Sequence, residues 1–276
     1  MEQHTLIVDT NFVVSCGFHG VARKDAPVAV LGAIAVVDRL SDEIGTRQVV
    51  WCLDSKPYLR SELFPGYKSG RNKTTLTDEE QEQREELKYH LDKMPEYLAH
   101  LGYGTVLKER GFESDDMISA AVSATKGYAT IYSRDHDLYQ LLTDRVRIYD
   151  PVGRSYVTKS SFRNEWFKIH PREWAEVKAI AGCNSDSIPG VRGVGELTAA
   201  KYVAGDKITP KTQAAIREFR KTPDFARNCS LTTLPYPGVP AVELVPDRKP
   251  APGAWRALCD NLERPNFGEA VRGNRG

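Results

Sequence analysis

The segment TLIVD, residues 5–9, is a short apolar and β-branched run that ends in an aspartate. A second run, VVWCLD at residues 49–54, has the same form and ends in Asp54. Both are typical of buried parallel strands, which are apolar along their length and bounded by polar residues. Between them, residues 27–40 (PVAVLGAIAVVDRL) are apolar enough for a largely buried helix. This strand–helix–strand order predicts an α/β fold with a mostly parallel central sheet flanked by helices.

Two further strands are predicted downstream, at residues 128–132 and 146–149. In an open α/β sheet, ligands collect at the carboxyl ends of the strands because the loops that leave there converge on one crevice. Three of the predicted strands release an aspartate at that edge, namely Asp9, Asp54 and Asp135. The pattern therefore predicts a functional crevice there.

The remaining chain predicts one long loop and several helices. Residues 55–75 have prolines, glycines and no clean periodicity, which is typical of a loop, and loops of that length are usually functional or disordered. Residues 77–101 predict a charged helix interrupted near Pro95. Residues 174–181 and 195–203 predict two helices joined by a glycine-punctuated turn.

Composition excludes several classes of protein. No stretch approaches the roughly 18 apolar residues of a membrane helix, and the N-terminus has no signal-peptide pattern. The five cysteines are far apart and form no CxxC pair, so neither a zinc site nor a disulfide framework is predicted. We therefore expect a cytoplasmic protein with no membrane partner.

The formal net charge of +1 does not by itself indicate a nucleic-acid partner, but the distribution of charge does. Residues 56–73 contain five basic side chains and one acid, and residues 78–86 contain six acids and one arginine. This pattern indicates a phosphate-facing loop followed by a solvated helix. Two ordinary surface segments would give the same pattern.

Eight acidic residues stand out by their placement after strands, in a first helical turn or beside the glycine turn. They are Asp9, Asp54, Glu113, Asp115, Asp116, Asp135, Asp137 and Asp186. Singly, such residues often cap turns or complement a helix dipole. Together at one edge they would repel each other, and divalent cations would neutralise them. Oxygen ligands without histidine or thiolate favour Mg²⁺ or Mn²⁺.

Five sequence blocks resemble the flap endonuclease and 5′-nuclease superfamily, which includes the 5′-3′ exonuclease domain of bacterial DNA polymerase I and phage 5′-exonucleases. They occur in family order as LIVDTN, VVWCLDSKPYLRSELFPGYKSGR, GFESDDMISA, ATIYSRDHDLYQLL and AIAGCNSDSIPGVRGVGELTAAKY. The resemblance implies a PIN-like, resolvase-like core with a helical arch and a helix–three-turn–helix. It assigns residues 1–175 to the nuclease core, with the arch at about 55–100, and residues 176–276 to the helix–three-turn–helix and a helical tail.

The resemblance also implies site roles. Asp9, Asp54, Glu113 and Asp115, with Asp116 beside them, match a first metal site, and Asp135, Asp137 and Asp186 match a second. Lys68 and Arg71 match basic catalytic residues near the scissile phosphate. The DNA contacts that it implies are Arg60, Tyr67, Gly190, Gly193, Gly195 and Lys201. Carbonyl groups of Ser187, Ile188 and Val191 match positions that hold a monovalent cation such as K⁺ in some relatives.

One position departs from the family pattern. The family usually has two aspartates before the glycine turn, and here Cys183 occupies the place of the first. A thiol is a poor ligand for Mg²⁺ and is mostly protonated at neutral pH. Three outcomes are open: Asp135, Asp137 and Asp186 suffice with water in the gap, the second ion binds weakly so that activity needs high metal or Mn²⁺, or the second site is vestigial. We favour the first two together.

The resemblance implies a monomeric, stand-alone 5′-nuclease that acts on DNA with a 5′ flap, a nick or a 5′ end, and on RNA–DNA hybrid primers. A branched-DNA-binding protein with reduced or lost catalysis is the alternative that Cys183 raises. A PIN-like ribonuclease would share the acidic core, but it is not expected to carry both the GYKSGR loop and the glycine turn.

Overall fold

The fold is available as a computed structural model that describes residues 3–20, 22, 24–72 and 76–267, apart from the side chains of Arg71 and Asn72. Lys73, part of the predicted basic segment, and the last nine residues of the predicted tail lie outside the described residues.

A six-stranded sheet forms the centre of the fold. Its strands are β1 (His4–Asp9), β2 (Gln48–Cys52), β3 (Thr105–Leu107), β4 (Tyr128–Tyr132), β5 (Val146–Asp150) and β6 (Ser155–Val157). They lie in the order β3-β2-β1-β4-β5-β6. All neighbouring strands are parallel except β6, which runs antiparallel to β5. The predicted α/β class and the four predicted strands are confirmed.

Helices cover both faces of the sheet. They are α1 (Thr10–His19), α2 (Ala26–Glu43), α3 (Arg60–Leu63), α4 (Asp78–His100), α5 (Ser114–Ala124), α6 (Lys159–Glu165), α7 (Trp174–Ala181), α8 (Glu196–Val203), α9 (Pro210–Phe219), α10 (Pro223–Thr232) and α11 (Ala254–Asn261). Because side chains alternate across a strand, Leu6 and Val8 pack with α1, α2, α4 and α11, whereas Ile7 packs with α5, α6 and α7.

Helix α4 corrects the predicted interruption near Pro95. The helix runs unbroken through this proline and begins with a capping box between Thr77 and Glu80. Proline removes one backbone hydrogen bond from a helix interior. Here Met94 and Leu98, on either side, are fully buried in the core, and this packing holds the helix together.

The predicted loop at 55–75 also contains short helical structure. Helix α3 and a 3-10 helix at Ser69–Asn72 lie within it, and residues 73–75 are outside the described part. Two short strands, β7 (Gly182–Cys183) and β8 (Ile188–Pro189), form a small antiparallel pair before the glycine turn.

The C-terminal part of the described chain packs against the central sheet and its helices. After α10, residues 234–252 contain no helix or strand and lead to α11. Trp255 and Leu258 of α11 belong to the same core cluster as α1 and α2. None of the described helices is both long and apolar enough to cross a membrane.

Candidate active site

The backbone brings acidic residues to the carboxyl edge of the sheet. Asp9 is the last residue of β1, and its carboxylate caps α1. Asp54 lies two residues beyond β2 and accepts the Ser114 N–H at 2.8 Å. That bond brings the start of α5, with Glu113 as its N-cap residue, to the same edge. Asp135 follows β4 and caps the next 3-10 helix, His136–Leu141.

A small cavity of about 90 Å³ lies at this edge, and Asp9 and Asp54 are not among the residues that line it. Its lining includes five of the predicted acids, two lysines and a cysteine: Glu113, Asp115, Asp135, Asp137, Asp186, Lys68, Lys178 and Cys183. Asp9 lies beside this group, because the charges of Asp54 and Asp135 both act on its carboxyl group, so the three predicted strand-end aspartates do converge.

Burial and mutual repulsion raise the pKa of several of these carboxyl groups. Burial, followed by the charge of Asp54, raises the pKa of Asp9 to about 7. Burial and then Asp135 raise the pKa of Asp137 to about 6, although Lys178 opposes the shift. The pKa of Asp115 is also raised, by burial first and then by Asp135 and Asp9. The cluster therefore holds more negative charge than its own surroundings stabilise.

Two lysines supply positive charge inside the cluster. The Lys68 ammonium group hydrogen-bonds to Glu113 Oε1 and lies 3.9 Å from Asp186 Oδ1. The Lys178 Nζ lies 3.0 Å from Asp137 Oδ1 and 2.8 Å from Glu196 Oε1. Burial alone would lower the pKa of Lys178, but Asp137 and Glu196 outweigh it and raise the pKa.

The donor set fits a hard divalent cation. Among the described residues, no three histidine, cysteine, aspartate or glutamate side chains converge in a ready coordination cage. The ammonium groups of Lys68 and Lys178 instead lie against the carboxylates. Asp137 Oδ1 is buried, and the positive charge beside it is the Lys178 ammonium group, 3.0 Å away. Buried anionic oxygens with raised pKa values are suitable ligands for Mg²⁺ or Mn²⁺.

Asp116 differs from its predicted role as a metal ligand. Its side chain is fully buried, and both of its oxygens are occupied. Arg60 donates to Oδ2 at 2.5 Å and to Oδ1 at 2.9 Å. The Glu113 and Tyr236 N–H groups donate to the same two oxygens at 3.1 and 2.8 Å. The structure thus gives Asp116 an internal ion pair in place of a metal contact.

Arg60 and Tyr67 are largely buried, and their predicted DNA contacts stay predictions. Their exposed fractions are only 3% and 8%. The Tyr67 hydroxyl donates to Glu113 Oε2 at 2.6 Å, and burial followed by Glu113 raises the pKa of Tyr67. Both side chains line the cavity from the inside, bonded to Asp116 and Glu113, and expose little surface to a base or a phosphate.

Lys68, in contrast, faces the cavity. Its backbone N–H donates to the Asp186 carbonyl at 2.8 Å, and its φ of 56° turns the chain at this point. Arg71 lies one turn further on in the 3-10 helix Ser69–Asn72, but its side chain is outside the described residues. The catalytic roles of Lys68 and Arg71 stay predictions.

The glycines of the turn have different surroundings. A Cβ at Gly190 would lie 2.2 Å from the Ala181 carbonyl group, so close backbone packing requires glycine there. A Cβ at Gly193 or Gly195 would meet nothing within 4 Å, which leaves that backbone open to a ligand. Lys201 lies over the Phe167 ring at 5.4 Å, on the helix that Gly195 begins.

The three predicted monovalent-cation positions surround the same turn. Ser187 has a φ of 59°, and its hydroxyl accepts the Gly70 N–H at 3.0 Å. Ile188 pairs with Cys183 in the small sheet, and the Val191 carbonyl accepts the Val194 N–H at 2.9 Å. Cation binding here stays a prediction.

Cys183 lies at the cavity as a neutral thiol. Its Sγ donates to Asp186 Oδ2 at 3.5 Å and lies 3.0 Å from the Ser185 hydroxyl. Burial raises the pKa of the thiol, and the charge of Asp186 raises it further. The expected anion is therefore missing at this position.

The chain matches the family described as 5′-3′ exonuclease, N-terminal resolvase-like domain, over residues 4–168. The chain belongs to this family. A 5′-3′ exonuclease from Streptomyces coelicolor is 30% identical over 226 residues, which cover 76% of this chain and 75% of that protein. DNA polymerase I of Thermus aquaticus is 33% identical over 206 residues, covering 72% of this chain but 23% of that protein. The chain thus spans less than a third of the length of the polymerase relatives.

Solved structures of 5′-nucleases share the fold of this 5′-3′ exonuclease family member. The zinc-bound T5 5′-exonuclease superposes with a TM-score of 0.74 at 20% identity, covering 98% of this chain and 100% of that one. The catalytic core of Rad2 in complex with DNA superposes with a TM-score of 0.57 at 11% identity, covering 95% and 88%. The predicted PIN-like nuclease architecture is confirmed.

Three residues of this exonuclease-family site escaped the sequence analysis. Ser133 donates to Asp9 Oδ2 at 2.9 Å, and Glu196 orients Lys178 across the cavity. A hydrogen bond from His136, and then Lys178, lowers the pKa of Glu196 to about 2, against the effect of burial. A sequence feature that could have indicated this part of the site is Lys178, a single lysine within the apolar run Val177–Ile180 of α7, which is buried in the structure.

Proposed function

We propose that this protein is a 5′-nuclease that hydrolyses DNA phosphodiesters at 5′ flaps, nicks and 5′ ends with the aid of divalent metal ions. The observation that carries the proposal is the cavity in which carboxylates from both halves of the chain meet Lys68 and Lys178. One relative is named a 5′-3′ exonuclease, and the T5 D15 flap endonuclease has been solved with DNA and metal ions. These names support the same reaction for this member of the family.

The carboxylates divide into two groups around the cavity. Asp9, Asp54, Glu113 and Asp115 would hold a first divalent ion, and Asp135, Asp137 and Asp186 a second. When bound, Mg²⁺ or Mn²⁺ supplies an activated water molecule and neutralises charge on the attacking and leaving oxygens. Because Asp9, Asp115 and Asp137 have raised pKa values, metal binding competes with protons at these residues.

Lys68 is placed so that its ammonium group can bond either to Glu113 or to a phosphate in the cavity. Its ammonium group bonds to Glu113, and its side chain is 16% exposed at the cavity. A phosphate that enters the cavity competes with Glu113 for this ammonium group. Lys68 would then stabilise the negative charge that grows on the phosphate in the transition state. We propose that Arg71 adds a second cation there.

Duplex DNA would approach the glycine turn. The open backbone at Gly193 and Gly195, at the start of α8, allows a phosphate to come close to backbone N–H groups. Lys201 would extend this contact, and a K⁺ ion held near Ser187, Ile188 and Val191 would add positive charge. Contacts of this kind grip the backbone without reading sequence, so structure directs the cut. RNA–DNA primers are substrates of the same shape, and a monomer suffices.

A cleavage assay with mapped products tests the proposal. The substrates are 5′-labelled flap DNA, nicked duplex, plain duplex and single-stranded RNA, each with Mg²⁺ or Mn²⁺. We expect metal-dependent cleavage near the flap junction, loss of that cleavage in Asp135→Ala, and full activity in Asp144→Ala. Asp144 is a matched control because its side chain is 86% exposed and pairs with Lys159 away from the cavity. Binding of the flap without cleavage, or cleavage of RNA alone, would reject the proposal.

A further inference from the structure

Arg60 is an arginine enclosed in the protein, at the start of α3. Its Nε donates to the Leu231 carbonyl at 3.0 Å, and its guanidinium group lies 4.7 Å from the centre of the Tyr236 ring. Its Nη1 reaches Glu113 Oε2 at 3.2 Å, and both terminal nitrogens bond to Asp116. One side chain therefore joins the arch segment, α5, the end of α10 and the segment that follows it.

Asp116 already neutralises the Arg60 charge. The two side chains form a two-bond fork, and backbone N–H groups of Glu113 and Tyr236 fix the Asp116 carboxylate from the other side. A fork of this kind is planar and directional, which a lysine cannot reproduce. The additional hydrogen bond from Arg60 to Glu113 is therefore not needed to neutralise the Arg60 charge. Its effect is to fix the orientation of the Glu113 carboxylate.

The two oxygens of Glu113 have unequal surroundings. Oε2 accepts from Arg60 and Tyr67, two buried side chains held in fixed positions. Oε1 accepts from Lys68, a long side chain that reaches it from the cavity. Oε2 is thus held by the protein interior, and Oε1 is the oxygen presented to the cluster of acids.

We infer that Arg60 is a positioning residue for the metal centre. It holds Glu113 by Oε2, which would leave Oε1, bonded to Lys68 in this structure, as the oxygen able to hold a divalent ion. This inference rests on the proposed nuclease function. Residues that orient metal ligands typically change metal affinity by about 10–100-fold when they are replaced. Arg60→Lys keeps the charge but loses the fork, so it is expected to weaken metal binding about 10-fold or more.

Metal binding is measured without DNA, by Mn²⁺ titration of the full chain followed by electron paramagnetic resonance. The variants are Arg60→Lys and Tyr67→Phe, which removes the other donor to Oε2. Arg147→Lys is the matched control, because Arg147 also stacks on a tyrosine, at 4.0 Å from the Tyr156 ring, but lies on β5 away from Glu113. Circular dichroism checks that each variant is folded.

We expect the Mn²⁺ dissociation constant to rise in Arg60→Lys and, by a smaller factor, in Tyr67→Phe, and to stay unchanged in Arg147→Lys. The Mn²⁺ concentration for half-maximal flap cleavage should rise in parallel, with the KM for flap DNA within a factor of about two of wild type. A rise in KM with unchanged Mn²⁺ affinity would overturn the inference and indicate a role in DNA binding.

The two proposals fail in different ways. If the wild-type protein neither binds Mn²⁺ nor cuts flap DNA, the proposed nuclease function is rejected. If the wild-type protein instead binds Mn²⁺ and cuts flap DNA, but folded Arg60→Lys and Tyr67→Phe bind Mn²⁺ as tightly as wild type, only the positioning role of Arg60 is rejected. If Arg60→Lys does not fold, Tyr67→Phe alone decides, because it changes the same oxygen of Glu113.

Discussion

At the scale of a residue, Cys183 is predicted to weaken metal binding by Asp135, Asp137 and Asp186. The thiol donates to Asp186 and so uses one oxygen of a predicted metal ligand. Cys183→Asp replaces this neutral group by an anion, and a further hard ligand should bind Mg²⁺ more tightly. We expect the Mg²⁺ concentration for half-maximal flap cleavage to fall several-fold in this variant. Metal titrations of the initial rate measure the change.

The control for this change adds the same charge one residue away. Asn184 is exposed, next to Cys183 in the chain, so Asn184→Asp raises the local negative charge without adding a ligand to the cavity. Its metal dependence should equal that of wild type. Equal metal dependence of wild type and Cys183→Asp would show that position 183 does not contribute to metal binding.

Asp9 gives the metal-free protein a pH-dependent stability. Its pKa is raised to about 7 by burial and by Asp54, so the folded state binds a proton more tightly than the unfolded state does. The free energy of unfolding therefore loses this contribution as the pH rises from about 4 to about 7. Asp9→Asn does not titrate, so its stability relative to wild type should increase over that range, by on the order of 1–3 kcal/mol.

Urea unfolding of metal-free wild type and Asp9→Asn at pH 5, 6 and 7.5 measures this difference. Metal binding to the deprotonated carboxylates reverses the trend for wild type, so added Mn²⁺ should stabilise it more at pH 7.5 than at pH 5. A constant difference between the two proteins from pH 5 to 7.5 would contradict the raised pKa.

At the scale of an element, the glycine turn contains Gly190, where no side chain fits, and Gly195, where a side chain would meet no neighbouring atom. Gly190→Ala would place a Cβ 2.2 Å from the backbone of Ala181, which cannot move away without disturbing α7. We expect it to lower the free energy of unfolding by about 1–3 kcal/mol. Gly195→Ala meets no atom within 4 Å and has a φ of −96°, so its stability should stay close to wild type. Thermal unfolding compares the two.

Gly195→Ala then reports on the DNA interface. If a phosphate lies against this backbone, the added methyl group keeps it away, and the dissociation constant for nicked duplex rises. Fluorescence anisotropy with labelled DNA measures the constant, and Gly45→Asn, at a solvent-exposed turn with a φ of 69°, serves as a glycine control. If Gly195→Ala binds nicked duplex as tightly as wild type does, this turn is not part of the DNA interface.

At the scale of the whole molecule, the sequence predicted most of the sheet and the gathering of acids but not the contacts between distant segments. The four predicted strands have clear apolar patterns, whereas β3 and β6 have only three residues each and show little periodicity. The convergence of Asp9, Asp54 and Asp135 follows from parallel topology alone. The burial of Arg60 against Asp116 depends on packing between segments 56 residues apart in the chain, which no local pattern contains.

The segment between α10 and α11 shows the same dependence on distant contacts. It crosses from the active site, where the Tyr236 N–H donates to Asp116, to the opposite edge of the sheet. There Asp247 accepts the Val49 N–H of β2 and the Gly104 N–H before β3, each at 2.8 Å. Asp247 therefore pairs backbone groups at the start of the sheet that the strands leave unpaired.

Asp247→Ala should remove both acceptors at once. Buried N–H groups that lose their partner cost about 1–3 kcal/mol each, so we expect a clear loss of unfolding free energy in urea. Asp260→Ala, an exposed carboxylate on the following helix α11, should unfold like wild type. If the segment only covers the sheet, the two variants would be equally stable. A selective loss in Asp247→Ala would show that this segment holds β2 and β3 together, and with them the strand that leads to Asp54.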